Sequence, residues 1–360
     1  MAQNIRHPGL SQVYNELLAQ LTKNNIFTKA FPETINHSFG TVKKAFSKAI
    51  VLGIVKEEKG SFVPYLNPDR KQLIAEGDQL IVITQDFSDL EPDLETLEKT
   101  SLPISDKKAL QVEAQTGVIK ILILGWNEHV PSLIKELTTY EDETYFIRLV
   151  SLKPLQDRKK DFGIVSELPD RIEIDHIVAD YVRESVIKRI EAETFDHVLM
   201  LSSDRMEEEE EADARTMVGF VLLEEVLERS IKKPSILLEL ADPSNESLLK
   251  PFQSEVIISP LVLSHLLAGI AIQRELYSIY NELFTVGGPE MIFRKIEEYT
   301  IDGSTASFSE LEAHAESHGE TALGVFIERA NGKELLLNPA KEKMLNLAEV
   351  DSLVILTTVY

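Results

Sequence analysis

A long-range internal repeat limits the fold of this chain more than any other feature. Tyr14-Asn15-Glu16-Leu17 returns as Tyr280-Asn281-Glu282-Leu283, and Ile26-Phe27-Thr28-Lys29 as Ile292-Phe293-Arg294-Lys295. Further on, Leu52-Gly53 returns as Leu323-Gly324, and Leu66-Asn67-Pro68 as Leu337-Asn338-Pro339. The strand-like Leu80-Ile81-Val82-Ile83-Thr84 returns as Leu353-Val354-Ile355-Leu356-Thr357. The offset drifts only from 266 to 273 residues, as small loop insertions would make it, so the two ends of the chain are expected to be copies of one fold. Within the first copy, a helical pattern at 9–21 gives way to short strands at 26–29, 49–55, 61–66 and 79–84. A short helix at 40–48 and turns at Glu58-Lys59-Gly60 and Glu76-Gly77-Asp78 complete a small α+β lobe.

Between the copies the period changes. Residues 118–124 are an apolar, β-branched run that stops at Gly125-Trp126-Asn127 and turns amphipathic over 130–137. That is the first strand, turn and helix of a nucleotide-binding type α/β unit, without the glycine-rich phosphate loop. Further strands at 145–152, 174–179, 195–202, 235–240 and 255–258 alternate with helical patterns such as 184–190 and 214–229. The alternation predicts a Rossmann-like, doubly wound parallel sheet with a ligand crevice beyond the strand C-termini. Residues 261–284 read as one long helix, apolar nearly all round in its first half and so expected to bury itself against another domain or subunit. The predicted order is a small lobe at 1–86, a charge-rich linker at 87–115, the α/β unit at 116–260, the crossover helix at 261–284 and a second lobe at 285–360. The second copy follows a whole α/β unit and a long helix, while the first follows only a helix tail. A tandem duplication would therefore have the chain begin inside its first unit.

Composition narrows the function. The net charge of −23 repels nucleic acid and anionic headgroups and favours cations or basic partners. No cysteine is present, which removes disulfides, thiolate metal sites and cysteine nucleophiles. No stretch approaches the ~20 apolar residues of a membrane helix, and no GxSxG, GxxxxGK[ST] or HExxH motif occurs. At the Gly125 turn, Trp126 stands where a pyrophosphate would approach the backbone, either filling the crevice, packing or stacking on a ligand, and residues 150–152 supply no acid for a ribose. A modified ligand site is expected from Gly125, Trp126, Asn127, Asp180, Ser202 and Asp204. The acidic run 204–213 puts Glu207 and Glu211 on one helical face, a candidate Ca²⁺ site set against the plainer reading of a solvated helix start. His314 and His318 have the spacing of a two-histidine metal site but read better as an exposed helix end.

Several segments together carry a family resemblance: Ile121 to Trp126, Ala212-Asp213-Ala214-Arg215, Ala49 to Ile54, Leu66-Asn67-Pro68 and Gly77-Asp78. They resemble the CASTOR/POLLUX ion channels and their bacterial relatives, and more broadly RCK (regulator of potassium conductance) units, over nearly the whole chain. The resemblance implies a cytoplasmic gating-ring region of a cation channel, with two tandem RCK units per subunit. It also implies a pore segment ahead of the chain, a homo-oligomer (dimer or tetramer) and Ca²⁺-linked gating in some members, with a nucleotide as the second choice of ligand. On that reading the lobes at 1–86 and 285–360 are RCK C-terminal lobes, and the mechanism is a hinge at 261–284. The competing expectations are an NAD(P)-dependent oxidoreductase, a Trk-type transport regulator and a purely structural scaffold.

Overall fold

The computed structural model describes residues 1–18, 24–86, 90–99, 110, 117–162, 168–202, 209–249, 255–285, 287–329 and 332–358. The first lobe is a four-stranded antiparallel sheet of β1 (Asn25–Lys29), β2 (Ala49–Glu58), β3 (Ser61–Leu66) and β4 (Gln79–Thr84), in the order β1-β4-β2-β3. Helix Phe39–Lys44 covers it, capped where the Ser38 hydroxyl accepts the Thr41 N–H. Phe39, Val42, Val51, Ile54, Leu80 and Val82 form its core. Part of the segment predicted as linker belongs to this core, since Leu90 and Leu97 pack into it and Asp93 donates its N–H to the Ala45 carbonyl.

The α/β unit is a six-stranded parallel sheet of β5 (Val118–Leu124), β6 (Thr144–Ser151), β7 (Ile172–Val178), β8 (His197–Met200), β9 (Ser235–Leu240) and β10 (Glu255–Ile258). Its order, β10-β9-β8-β5-β6-β7, is the doubly wound nucleotide-fold order with the reversal between β5 and β8. Leu122 and Leu124 point into a cluster with helices Glu184–Ile190 and Glu209–Leu227. The alternate residues Ile121 and Ile123 are equally buried on the opposite face. Residues 1–11 join this unit rather than the first lobe. Arg6 pairs with Glu143 at 3.0 Å, and the half-buried Glu255 accepts from the Gly9 N–H, the Ser11 hydroxyl and the Asn4 amide.

The second lobe contains β11 (Pro289–Arg294), β12 (Thr305–Ser307), β13 (Thr321–Arg329), β14 (Gly332–Leu337), β15 (Met344–Asn346) and β16 (Val350–Thr358). Its main sheet runs β11-β16-β13-β14, the order of the first lobe, and a β12-β15 pair stands where the first lobe has a single Ser38–Leu73 bridge. The repeat extends to detail. Each long strand bulges at its Leu-Gly step, and a Cβ on Gly53 or Gly324 would lie 2.2 or 2.3 Å from the Tyr65 or Leu336 carbonyl oxygen of the neighbouring strand. Residues 12–112 and 264–360 form one compact unit containing both lobes.

Residues 261–284 are not one helix. Ser259–Ile272 and Leu276–Phe284 are separate, broken at 273–275 without proline or glycine. A tertiary contact accompanies the break: the Gln273 amide accepts the Thr28 N–H at 3.1 Å and donates to the Thr28 carbonyl at 3.2 Å, mimicking a strand partner on the edge strand β1. Among the described residues no helix is long and apolar enough to cross a membrane.

Candidate functional site

The reversal between β5 and β8 is where a fold of this order opens its ligand crevice. Here the chain closes it with its own atoms. Gly125 has φ +106°, and an added Cβ would lie 2.4 Å from the Leu201 carbonyl oxygen, so the two strand ends come together over a residue that must be glycine. The Gly125 N–H bonds to the Val150 carbonyl at 2.9 Å, and the Leu201 N–H to the Leu124 carbonyl at 2.8 Å. Buried Asn127 spans the reversal, donating its amide to the Ser202 carbonyl at 3.1 Å and to Glu239 at 2.7 Å. Its Oδ1 accepts the His129 N–H at 3.1 Å, which satisfies a donor at the start of helix His129–Leu137 that a phosphate would otherwise take. Glu239 is completed by the Ser259 hydroxyl at 2.6 Å.

Trp126 is fully buried. Its indole N–H donates to Asp161 at 3.1 Å, and its ring meets Phe162 edge-on at 5.5 Å. The Arg158 guanidinium lies 5.6 Å from the ring and is itself fully buried. It donates to four carbonyls, those of Lys153, Leu149, Ser151 and Ile177, and so covers the C-terminal ends of β6 and β7. That is the ground on which a ribose-binding acid would stand. Asp161 is held below the usual carboxylate range, first by its hydrogen bond from Lys153. His176, on β7 beside Phe162, is pushed below the ordinary histidine value by burial and then by the Arg158 charge.

The fold brings Gly125, Trp126, Asn127 and Ser202 together in one cluster. Asp180 is engaged by Arg215 at 2.6 Å and Arg183 at 3.8 Å. Asp204 and Glu207 lie outside the described residues, and Glu211 is exposed in the first turn of helix Glu209–Leu227. No group of three metal-ligating side chains converges among the described residues. His318 corrects the expectation of an exposed helix end: it is buried, its Nδ1 lies 3.0 Å from the His314 carbonyl oxygen, and its ring meets Tyr299 edge-on at 5.5 Å.

A second arrangement was not foreseen from the sequence. The two lobes hold each other by a reciprocal pair of asparagines. Asn67 (φ +45°) donates its amide to the Gly319 carbonyl at 2.7 Å, and Asn338 (φ +46°) donates to the Lys48 carbonyl at 3.2 Å. One shift of 271 residues converts the first bond into the second, a local two-fold relation inside one chain. Beside Asn67 a cleft of about 350 Å³ opens between the lobes, lined among others by Lys43, Arg70, Lys71, Glu316 and His318. The recurring Leu-Asn-Pro was the available signal, since asparagine tolerates the left-handed conformation that each copy adopts.

Comparison with known proteins adds relatives to this geometry. Residues 1–100 match the family described as Castor and Pollux, part of voltage-gated ion channel. The ion channel CASTOR of Lotus japonicus is 25% identical over 94% of this chain and 42% of its own length. The probable ion channel POLLUX of Oryza sativa subsp. japonica is 23% identical over 95% of this chain and 38% of its own. The chain therefore spans about two fifths of the length of these curated relatives. Among solved structures the human SLO3 gating ring superposes with TM-score 0.72 at 16% identity, covering 99% of this chain and 74% of that one, so the two share a fold.

Proposed function

We propose that this chain, which is similar in sequence to the CASTOR and POLLUX ion channels and shares the fold of the SLO3 gating ring, is the ligand-sensing regulatory region of a cation channel. On this reading it couples the binding of an ion or nucleotide to a pore, acts on the cytoplasmic side and works as a homo-oligomer. The observation that supports it most is the pairing of two duplicated lobes into one body, joined to an α/β unit whose crevice is closed by its own side chains. A ligand can transmit a signal only if it binds two states of such an assembly differently. The dinucleotide oxidoreductase reading is disfavoured by Trp126, Arg158 and Asn127, which occupy the ground a pyrophosphate and ribose would need.

Light scattering, with melting in millimolar Ca²⁺, Mg²⁺, NAD and ATP, tests the proposal. A ligand that binds only the folded state raises the melting temperature by mass action. The expected result is a dimer or tetramer whose melting responds to a divalent cation. Trp126 is the only tryptophan, and its emission is expected to stay unchanged when NAD is added. A monomer that responds to NAD alone, with Trp126 quenched, would overturn the regulatory reading.

A further inference from the structure

We propose that the junction between the two lobes is a one-sided latch. The side around Asn67 is closed by charges and opens when salt screens them, while the side around Asn338 is closed by neutral amides and serves as the hinge. The duplication lets the two sides be compared position by position. Counting from the capping serines Ser38 and Ser307, Gly40 corresponds to Ser309, Lys44 to Ala313 and Ser47 to Glu316. In the long strands Ile50 pairs with Ile83 and Thr321 with Leu356, so Ile50 corresponds to Thr321.

On the Asn67 side a chain of bonds crosses between the lobes. The Lys43 amine donates to the Thr321 hydroxyl at 2.8 Å, that hydroxyl donates to the Asn67 Oδ1 at 2.8 Å, and the Asn67 amide donates to the Gly319 carbonyl at 2.7 Å. Beside it the Lys44 amine lies 3.6 Å from Glu316, whose Oε1 would be 3.0 Å from a Cβ on Gly40. The missing side chain at Gly40 is therefore what lets the carboxylate of one lobe lie against the helix of the other. On the Asn338 side the same positions hold Ile50, which cannot relay a bond, Ala313 and Ser47, which carry no charge, and Ser309 in place of the glycine. There the asparagine bond recurs, from Asn338 to the Lys48 carbonyl at 3.2 Å, and the Asn24 amide reaches the Leu337 carbonyl at 3.1 Å. Both join neutral groups.

The two kinds of contact answer differently to salt. Burial lowers the Lys43 pKa, and the Glu316 and Glu312 carboxylates oppose that shift, while Lys341 and Lys44 add to it. Glu312 is in turn bonded by Lys341 within its own lobe. An ammonium group taken out of water stays there only while its counter-charges offset the lost hydration. Weakening that attraction therefore favours the hydrated lysine, and Lys43 is hydrated when this side opens. The Lys44 side chain is 35% exposed, so dissolved ions reach the pair it makes with Glu316. Amide-to-carbonyl bonds carry no net charge to screen, and the Asn338 side keeps its closure.

The experiment is distance measurement between paired spin labels on the full chain, which has no cysteine of its own to compete for them. Asp69→Cys with Thr358→Cys spans the charged side, where both residues line the cleft. The corresponding pair, Ala340→Cys with Gln85→Cys, reports the other side. Raising KCl from ~0.1 M to ~1 M shortens the screening length from ~10 Å to ~3 Å. The expected result is a longer or broader distance for the first pair and an unchanged one for the second. Glu316→Gln is expected to show the open distance already at low salt, with little further response. Lys44→Ala is the second variant should that one not fold, and is expected at least to halve the salt-induced change. Movement of both pairs together, movement of neither, or a salt response unaltered in the variants would overturn the latch. The latch does not rest on the channel reading, so its failure leaves that reading to its own test of mass and cation response.

Discussion

Gly125 shows how little freedom a single position can have. Its left-handed backbone costs a side-chain-bearing residue about 1–3 kcal/mol, and the Leu201 carbonyl oxygen 2.4 Å from a built Cβ adds a steric conflict with backbone that cannot rotate away. Gly125→Ala is therefore expected to lose at least that much stability in urea titrations; a change below ~0.5 kcal/mol, the usual range for a neutral surface substitution, would show that the β5–β8 closure is loose. A second residue-scale expectation concerns protons. His176 and His197 are both held below the ordinary histidine value, chiefly by burial. A depressed folded value means that their contribution is present above the unfolded value of ~6.5 and is lost as the pH falls through the folded one. The melting temperature of His197→Gln should accordingly fall less steeply from pH 7 to pH 5 than that of the parent, and parallel slopes would count against the buried neutral ring. Trp126 was legible as the residue that sets this turn apart. Arg158 was not: it lies in Leu155–Phe162, LQDRKKDF, which reads as a solvated surface, and only the fold shows the four carbonyls that hold its guanidinium.

At the scale of elements, the strands were legible because their periodicity is local, and β3, β4, β5, β9 and β10 begin and end where pattern and turn residues place them. The break at 273–275 was not legible, since no proline or glycine lies within it and the contact that accompanies it is with the edge strand β1, distant in sequence. Gln273→Ala should remove both amide bonds and speed hydrogen exchange at Thr28 N–H; unchanged protection there would mean that the helix break has another cause. For the paired asparagines, glycine and alanine substitutions separate two effects. Asn67→Gly and Asn338→Gly keep the left-handed backbone and should each cost about 1 kcal/mol for the lost hydrogen bond. The alanine variants should cost roughly 1–2 kcal/mol more for the backbone alone. Equal costs for glycine and alanine would show that the conformation relaxes on substitution.

Across the whole molecule, the repeat made the duplicated lobes visible, while their pairing into one unit depends on contacts between residues about 270 apart, beyond the reach of any local pattern. The same holds for residues 1–11, which the sequence assigns to the first lobe and the fold gives to the α/β unit. Removing residues 1–8 should lower the melting temperature of that unit, because Glu143 and Glu255 lose Arg6 and Asn4 from partly buried bonds; an unaltered transition would mean that this segment is only laid on the surface. One further consequence follows from the chain path. Residues 113–263 are strung between two segments that fold together as a single body. While the paired lobes hold, an unfolded α/β unit is a tethered ring rather than an open chain, and a covalent tie across a loop of this order would cost the unfolded ensemble about 5 kcal/mol of entropy. The lobe pair is in this sense a non-covalent staple, so loosening it would soften a sheet none of whose strands it supplies.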